Sequence, residues 1–453
     1  MYFAKALQDG ADYAVCNAVF GFGGATALYQ SQPLQAQNRC AVVSRTLLER
    51  CRAAAHDPEN VPELLALAAQ LCTKPTLIPQ ALLHYERGIC AEDAFSAHGK
   101  RAFIMSHVLD MTGAPIVLVS AVPVLRSMGY EVLVLGPSDG GSLHLFLDAG
   151  ASVITRSSCR NVSDAWGMAL CADFVIANTV VMARAVRALS GTAVPVLWWL
   201  HDAFAGYPHI AHQIPTQLGE NVRVYSVGSH AANAMRAVRP EFEIRPLIYG
   251  LPDYAAENFV RTDLGYNRGR PLFATVGSFE RRKGHDIFCK AIRLLPPEVR
   301  EKASFLFVGQ AADKEMMDSV RALTADYPEN VYYCKRLTRD EIKSLMEQCT
   351  GLVCASRDDP MPTFVTEGLI FGKPSIVSEH TGTAGLISEG RNGFVYHNDD
   401  PQQLAVLLEH AIEHPEELAS MRTECRKMYE QYYSKEAFEQ TLRAAVEDLT
   451  AKK

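Results

Sequence analysis

From "RAFIMSHVL" at residue 101 onward, short apolar runs alternate with helix-like segments, and that alternation limits the chain to very few folds. The runs "EVLVLG" (131–136), "DFVIAN" (173–178), "PVLWWL" (195–200) and "VRVYSV" (222–227) are bounded by turn residues. They have the length and β-branched content of buried strands. Before the first of these runs, "APIVLVSAVPVLRSMG" reads as a buried helix stopped at Gly129. A polar, Gly-containing stretch, "RTDLGYNRGR" (261–270), then reads as a linker. After it the pattern restarts with "LFATVG" (272–277), "SFLFVG" (304–309), "VYYC" (331–334), "GLVCAS" (351–356) and "PSIVSE" (374–379). Helical segments such as "HDIFCKAIRLL" and "RDEIKSLMEQC" separate them. Two successive series of this kind predict an α/β protein with two parallel sheets, each covered by helices on both faces. Three zones follow: residues 1–98, without regular alternation; 99–262; and 263–453. Ligands of such sheets bind beyond the carboxyl ends of the strands, so a cleft between the two domains is the expected site.

Composition removes several function classes. A net charge of −7 argues against broad nucleic-acid or anionic-membrane binding. The 12 cysteines show neither a Cys-x-x-Cys pair nor a nearby His pattern, which disfavours a zinc site or a disulfide framework and fits reduced thiols in a cytosolic protein. The N-terminus "MYFAKALQDGADYAV" has neither a basic region nor a signal-type apolar core, and the longest apolar run is broken by Arg126. The expected location is the cytoplasm, with peripheral attachment to the inner face of a membrane left open.

Two stretches carry chemistry. In "TVGSFERRKGHDIFCKAI" a strand ends at Gly277, a polar loop holds Arg281, Arg282 and Lys283, and Gly284 opens a helix. Free amides and the helix dipole favour a phosphate there, and a lysine adds a point charge for a diphosphate leaving group. The P-loop spacing is absent. In "DDPMPTFVTEGLIFGKPSIVSE", Asp359 precedes a short helix and Glu367 lies inside it. Pro360 and Pro362 suit its start, Gly372 its C′ position, and Pro374 prevents continuation. The amides near Pro362, Thr363 and Phe364 then point back toward the ligand. Both carboxylates would repel a free phosphate, so hydroxyl groups are their expected partners. A solvated basic turn and an ordinary helix acid are the plainer readings of the two stretches.

Together with "GLISEGRNGFVYHNDDPQQLA", these segments resemble the C-terminal domain of family-four retaining glycosyltransferases, which have the GT-B fold: two Rossmann-like domains facing across a cleft. The acidic pair is similar to that family's Glu-x7-Glu motif, with Asp359 in the first place. The resemblance implies that Glu367 grips the donor ribose, Asp359 the transferred sugar, and Lys283 the diphosphate. Upstream, "MTGAP" is similar to the family's first Gly-rich loop, placing Gly113 and Ala114 near substrate. "VPVLWWLHDAF" resembles the strand that delivers an active-site histidine, here His201, followed by Asp202. Ser278 stands where many members carry an Arg, and Arg282 is the candidate to supply that charge; Gly277 and Ser278 line the same loop.

The implied activity is retaining transfer of a sugar from a nucleotide-diphosphate-sugar to a hydroxyl of a glycan or glycolipid acceptor, in cell-surface polysaccharide or glycolipid synthesis. No metal or cofactor is expected. A degenerate, non-catalytic GT-B scaffold and a GT-B-like sugar-nucleotide epimerase or phosphorylase are the alternatives. Residues 1–98 read as a mostly helical extension, faintly similar to the tail of a family-two, GT-A-type glycosyltransferase, without a site of its own.

Overall fold

The computed structural model describes residues 99–138, 140–155, 169, 170 and 172–451, together with the backbone of short strands among the first 78 residues. Of those strands, Tyr13–Cys16 pairs antiparallel with Cys40–Val43 and parallel with Pro75–Ile78, and Phe20–Phe22 pairs antiparallel with Ala25–Ala27. The rest of residues 1–98, on which the expected helical extension and its family-two likeness fall, lies outside the described residues. Two compact units divide the chain: residues 1–198 with 213–223 and 446–453, and residues 199–212 with 224–445.

The first sheet has seven strands: β1 (Lys100–Met105), β2 (Tyr130–Gly136), β3 (Ser152–Thr155), β4 (Phe174–Asn178), β5 (Val196–Leu200), β6 (Val222–Ser226) and β7 (Ile244–Pro246). Their order is β7-β6-β5-β4-β1-β2-β3. Every residue of β4 and β5 is buried, as expected of strands covered on both faces. Helix α1 (Gly113–Ser127) follows β1 and carries Pro123 in its interior, where one backbone hydrogen bond is forgone. Six of its residues are buried, among them Leu118, Val122 and Leu125, and this packing holds the helix despite the proline. Helices α2 (Leu143–Asp148), α3 (Ala183–Leu189) and α4 (Ser229–Arg236) complete the crossovers that the structure describes.

The second sheet has six strands, β8 (Leu272–Val276), β9 (Ser304–Val308), β10 (Val331–Cys334), β11 (Gly351–Cys354), β12 (Ser375–Ser378) and β13 (Gly393–Tyr396), in the order β10-β9-β8-β11-β12-β13. All five pairings are parallel. Counted from its own first strand, each sheet begins 3-2-1-4-5-6, the dinucleotide-fold order, so each has a switch point where the chain turns from building one side to building the other. In the second sheet that point lies between β8 and β11. Helices α5 (His285–Leu294), α6 (Lys314–Asp326), α7 (Arg339–Gln348), α8 (Thr363–Ile370) and α9 (Pro401–Glu413) cover it. Helix α10 (Lys435–Thr450) ends the described chain.

The stretch read as a linker is strapped to a helix. Thr262 N–H donates to Ser344 Oγ at 3.0 Å, Gln348 Nε2 donates back to the Thr262 carbonyl at 2.6 Å, and Arg261 pairs with Glu347 at 3.0 Å. Polar composition marked it as surface chain, but the side chains that satisfy its backbone come from α7, more than 80 residues on.

Candidate functional site

At the switch point of the second sheet, β8 ends at Val276 and passes through Gly277 and Ser278 into a single 3-10 turn, Arg281–Lys283. Gly284 then adopts the left-handed conformation at φ 66° and opens α5. Only glycine fits there, because a Cβ would stand 1.8 Å from the Ala355 carbonyl oxygen. That close approach sets the turn carrying Lys283 against the end of β11. Ser278 Oγ donates to the Glu280 carboxylate, so it faces its own loop. Arg282 reaches the Asp358 carbonyl at 3.1 Å and lies 3.5 Å from Glu280.

The loop after β11 supplies the acids. Asp359 is 3% exposed, and its Oδ2 lies 2.6 Å from Lys283 Nζ, with Ser356 Oγ donating to the same oxygen at 3.4 Å. A buried carboxylate of this kind needs a paired cation, and Lys283, 76 residues upstream, provides it. Arg357, which sequence reasoning passed over, fixes the loop. It meets Asp286 with two parallel 2.8 Å hydrogen bonds, Asp399 at 2.7 Å and the Arg281 carbonyl at 2.8 Å. Its backbone N–H donates to the Arg282 carbonyl at 2.8 Å, so one residue, through side chain and backbone together, ties the Lys283 turn to the Asp359 loop. Burial opposes the Asp286 charge, but Arg357 outweighs it and holds that carboxyl below its ordinary value.

The short helix expected over about 362–371 is α8, which runs from Thr363 to Ile370, with Pro362 at the N-cap rather than inside the first turn. Its end is a Schellman arrangement: Lys373 N–H donates to the Gly368 carbonyl at 2.9 Å and Gly372 N–H to the Leu369 carbonyl at 3.0 Å, with Gly372 at φ 71°. Phe364 is buried and Thr363 exposed at the helix start, where the first amides have no carbonyl upstream in the helix. Glu367 is 7% exposed and pairs with Arg339 Nη1 at 2.7 Å; the guanidinium lies 4.3 Å from the Tyr254 ring. Burial pushes the Glu367 carboxyl up, and Arg339 only partly pulls it back. Each carboxylate expected to bind hydroxyl groups alone therefore has a protein cation beside it. Arg339, in the first turn of α7, left no trace in local spacing, because it meets Glu367 only through the packing of two helices.

His201 and Asp202 follow β5, beside Trp199, whose ring centroid is 4.6 Å from that of His201. The Trp199 indole donates to the Leu247 carbonyl at 2.9 Å and stacks on Phe438. Tyr207 is buried, and burial together with the Asp202 charge holds its phenol above the ordinary range. Gly113 and Ala114 belong to the first unit, where they open α1 after the Thr112 N-cap, at that sheet's switch point between β1 and β4. The second unit thus brings together Gly277, Ser278, Arg282, Lys283, Asp359, Pro362, Thr363, Phe364 and Glu367 on the two loops at its switch point and the helices that leave them. Among the described residues, no group of three or more His, Cys, Asp or Glu side chains converges to hold a metal ion, and no helix is long and apolar enough to cross a membrane.

Behind Lys283, His285 is buried with its ring 4.4 Å from that of Phe279. Burial, then the neighbouring Lys283 charge, lowers its pKa to about 3 from 6.5. The native protein therefore binds fewer protons than the unfolded chain below pH 6.5, and stability falls as the pH drops through that value toward 3. Between pH 7 and 5 this one group removes about 2 kcal/mol. Urea denaturation should show wild type losing that much more stability over this interval than His285→Phe; parallel losses would remove His285 as the cause.

Residues 98–238 match the model of glycosyl-transferase family 4, and residues 257–428 match that of glycosyl transferases group 1. An uncharacterized glycosyltransferase of Methanocaldococcus jannaschii is 25% identical over 43% of this chain and 53% of its own length. Spore coat protein SA of Bacillus subtilis is 26% identical over 33% of this chain and 41% of its own length. The chain thus spans about half the length of these curated relatives or less. Among solved structures, HepE of Anabaena in complex with UDP superposes with a TM-score of 0.62 at 19% identity, covering 77% of this chain and 100% of that one; HepE has also been solved with UDP-glucose. The fold is GT-B.

Proposed function

We propose that this chain, a GT-B glycosyltransferase by fold and by the two family models it matches, moves a sugar from a nucleotide-diphosphate-sugar to a hydroxyl of a glycan or glycolipid, with retention at the anomeric carbon. The observation that carries the reading is the 2.6 Å pair of Lys283 and Asp359 at the strand ends of a nucleotide-type sheet, with buried Glu367 in the helix that follows. In this reading the diphosphate lies against Lys283 and the first amides of α8, with Arg282 and the Gly277–Ser278 backbone alongside. As the bond to the anomeric carbon breaks, negative charge grows on the leaving phosphate oxygen, and fixed cations and amide dipoles stabilise it without reorganising.

Asp359 faces the sugar hydroxyls and Glu367 the ribose, where a carboxylate shared with Arg339 accepts from a diol. The remaining carbon becomes oxocarbenium-like; His201 and Asp202 are assigned to the sugar, and Gly113 and Ala114 of the first unit to substrate binding. The HepE complexes make uridine diphosphate sugars the first donors to test. A glycolipid acceptor would place the work at the cytoplasmic face of a membrane, in surface polysaccharide or glycolipid assembly.

The test is nucleotide release from a panel of nucleotide-diphosphate-sugars with glycan and glycolipid acceptors. NMR of the product then reads the anomeric configuration. Acceptor-dependent release with a retained α-linkage from an α-donor supports the reading. Release without acceptor incorporation, or no donor binding by calorimetry, overturns it.

A further inference from the structure

The residue next to Asp359 points elsewhere and is bound just as firmly. Asp358 Oδ1 accepts from the Phe204 N–H at 3.1 Å and lies 2.7 Å from His230 Nε2, while Oδ2 accepts from the Ala205 N–H at 2.8 Å. All these groups belong to the second unit. The Asp358 side chain is 14% exposed and that of His230 5%. Burial opposes the Asp358 charge, but the His230 bond and the two amides outweigh it and hold the carboxyl below its ordinary value. His230 cannot easily turn away, because the Phe204 ring lies 5.0 Å from it and the His380 ring 5.7 Å.

The segment so held is the one that carries His201. The chain leaves β5 at Leu200, passes His201, Asp202 and Ala203 without regular structure, and enters a 3-10 turn at Phe204–Gly206. Its amides at Phe204 and Ala205 donate to the carboxylate of Asp358, one residue from Asp359, and the Asp358 carbonyl in turn accepts from Arg282 at 3.1 Å. Two adjacent aspartates therefore divide the work: Asp359 takes Lys283, and Asp358 takes the start of the turn after His201.

We propose that Asp358 is a positioning residue that locks the His201–Ala205 segment to the loop carrying Asp359, with His230 orienting its carboxylate, so that His201 stands at a fixed place relative to the transferred sugar. The inference rests on the transfer reading above. A misplacement of the order of 1 Å in such a group costs roughly 100-fold in rate without weakening donor binding.

Three measurements on Asp358→Ala and Asp358→Asn decide it. Hydrogen exchange on the free protein should show protection of the Phe204 and Ala205 amides falling roughly tenfold or more in Asp358→Ala, with α8 unchanged. Steady-state kinetics should show kcat down roughly 10–100-fold at nearly constant donor KM. Asp358→Asn, which keeps an accepting oxygen, should recover part of the loss. In a His201→Ala background, removing Asp358 should cost almost nothing further, because both act through one group. Unchanged protection at Phe204 and Ala205 overturns the proposal, as does a loss confined to donor KM or full multiplication of the two effects. Should wild type transfer no sugar at all, the transfer reading falls, while the exchange measurement still decides whether Asp358 holds the segment.

Discussion

Lys283→Ala is expected to lower glycosyl transfer by roughly 100- to 1,000-fold, about 3–4 kcal/mol of transition-state stabilisation. Two losses combine in that figure. The cation that meets the departing diphosphate disappears, and Asp359, 3% exposed, is left without the ammonium 2.6 Å away. The second loss can be separated from the first. In Lys283→Ala/Asp359→Asn the stranded charge is gone, so thermal stability should return toward wild type while transfer stays low. Lys283→Arg keeps the charge but brings a planar fork where the turn offers room for a point charge, so recovery should be partial. Nucleotide release and calorimetric titration with a uridine diphosphate sugar measure both sides. Wild-type turnover in Lys283→Ala would remove this residue from the site and with it the core of the functional reading.

Gly284→Ala should be the most damaging single-methyl substitution at the site, costing about 3–5 kcal/mol of folding stability. A non-glycine residue at φ 66° costs roughly 1–2 kcal/mol on its own. The remainder comes from the new Cβ, which would sit 1.8 Å from the Ala355 carbonyl oxygen and force the Lys283 turn away from the end of β11. Gly265 supplies the control: its φ is 68°, and nothing lies within 4 Å of where a Cβ would stand. Gly265→Ala should therefore show only the backbone part. Equal denaturation midpoints for the two variants would mean that the close approach at Gly284 contributes nothing.

Much of this architecture is legible in one dimension. Strands such as Phe174–Asn178 and Ser304–Val308 are short, wholly buried apolar runs, and the sequence marks them because covered strands have no polar face. Within the two large sheets, the strands it did not mark as runs, Ser152–Thr155, Ile244–Pro246 and Gly393–Tyr396, lie at the edges. Each of these three has one neighbour and only three or four residues, so its apolar signal is weak. Helix α8 was readable at both ends because prolines and a glycine act on the backbone locally.

Residue chemistry and local backbone preference, then, determined the two strand–helix series, the turn that only Gly284 can make, and the presence of Lys283, Asp359 and Glu367 beside strand or helix ends. Which charges meet was decided in three dimensions alone. Arg339 reaches Glu367 across 28 residues, Lys283 reaches Asp359 across 76, and Asp358 reaches Phe204 across 154. Periodicity records how a segment faces its own core, whereas the pairing of distant charges depends on strand order and helix packing, which no local pattern encodes.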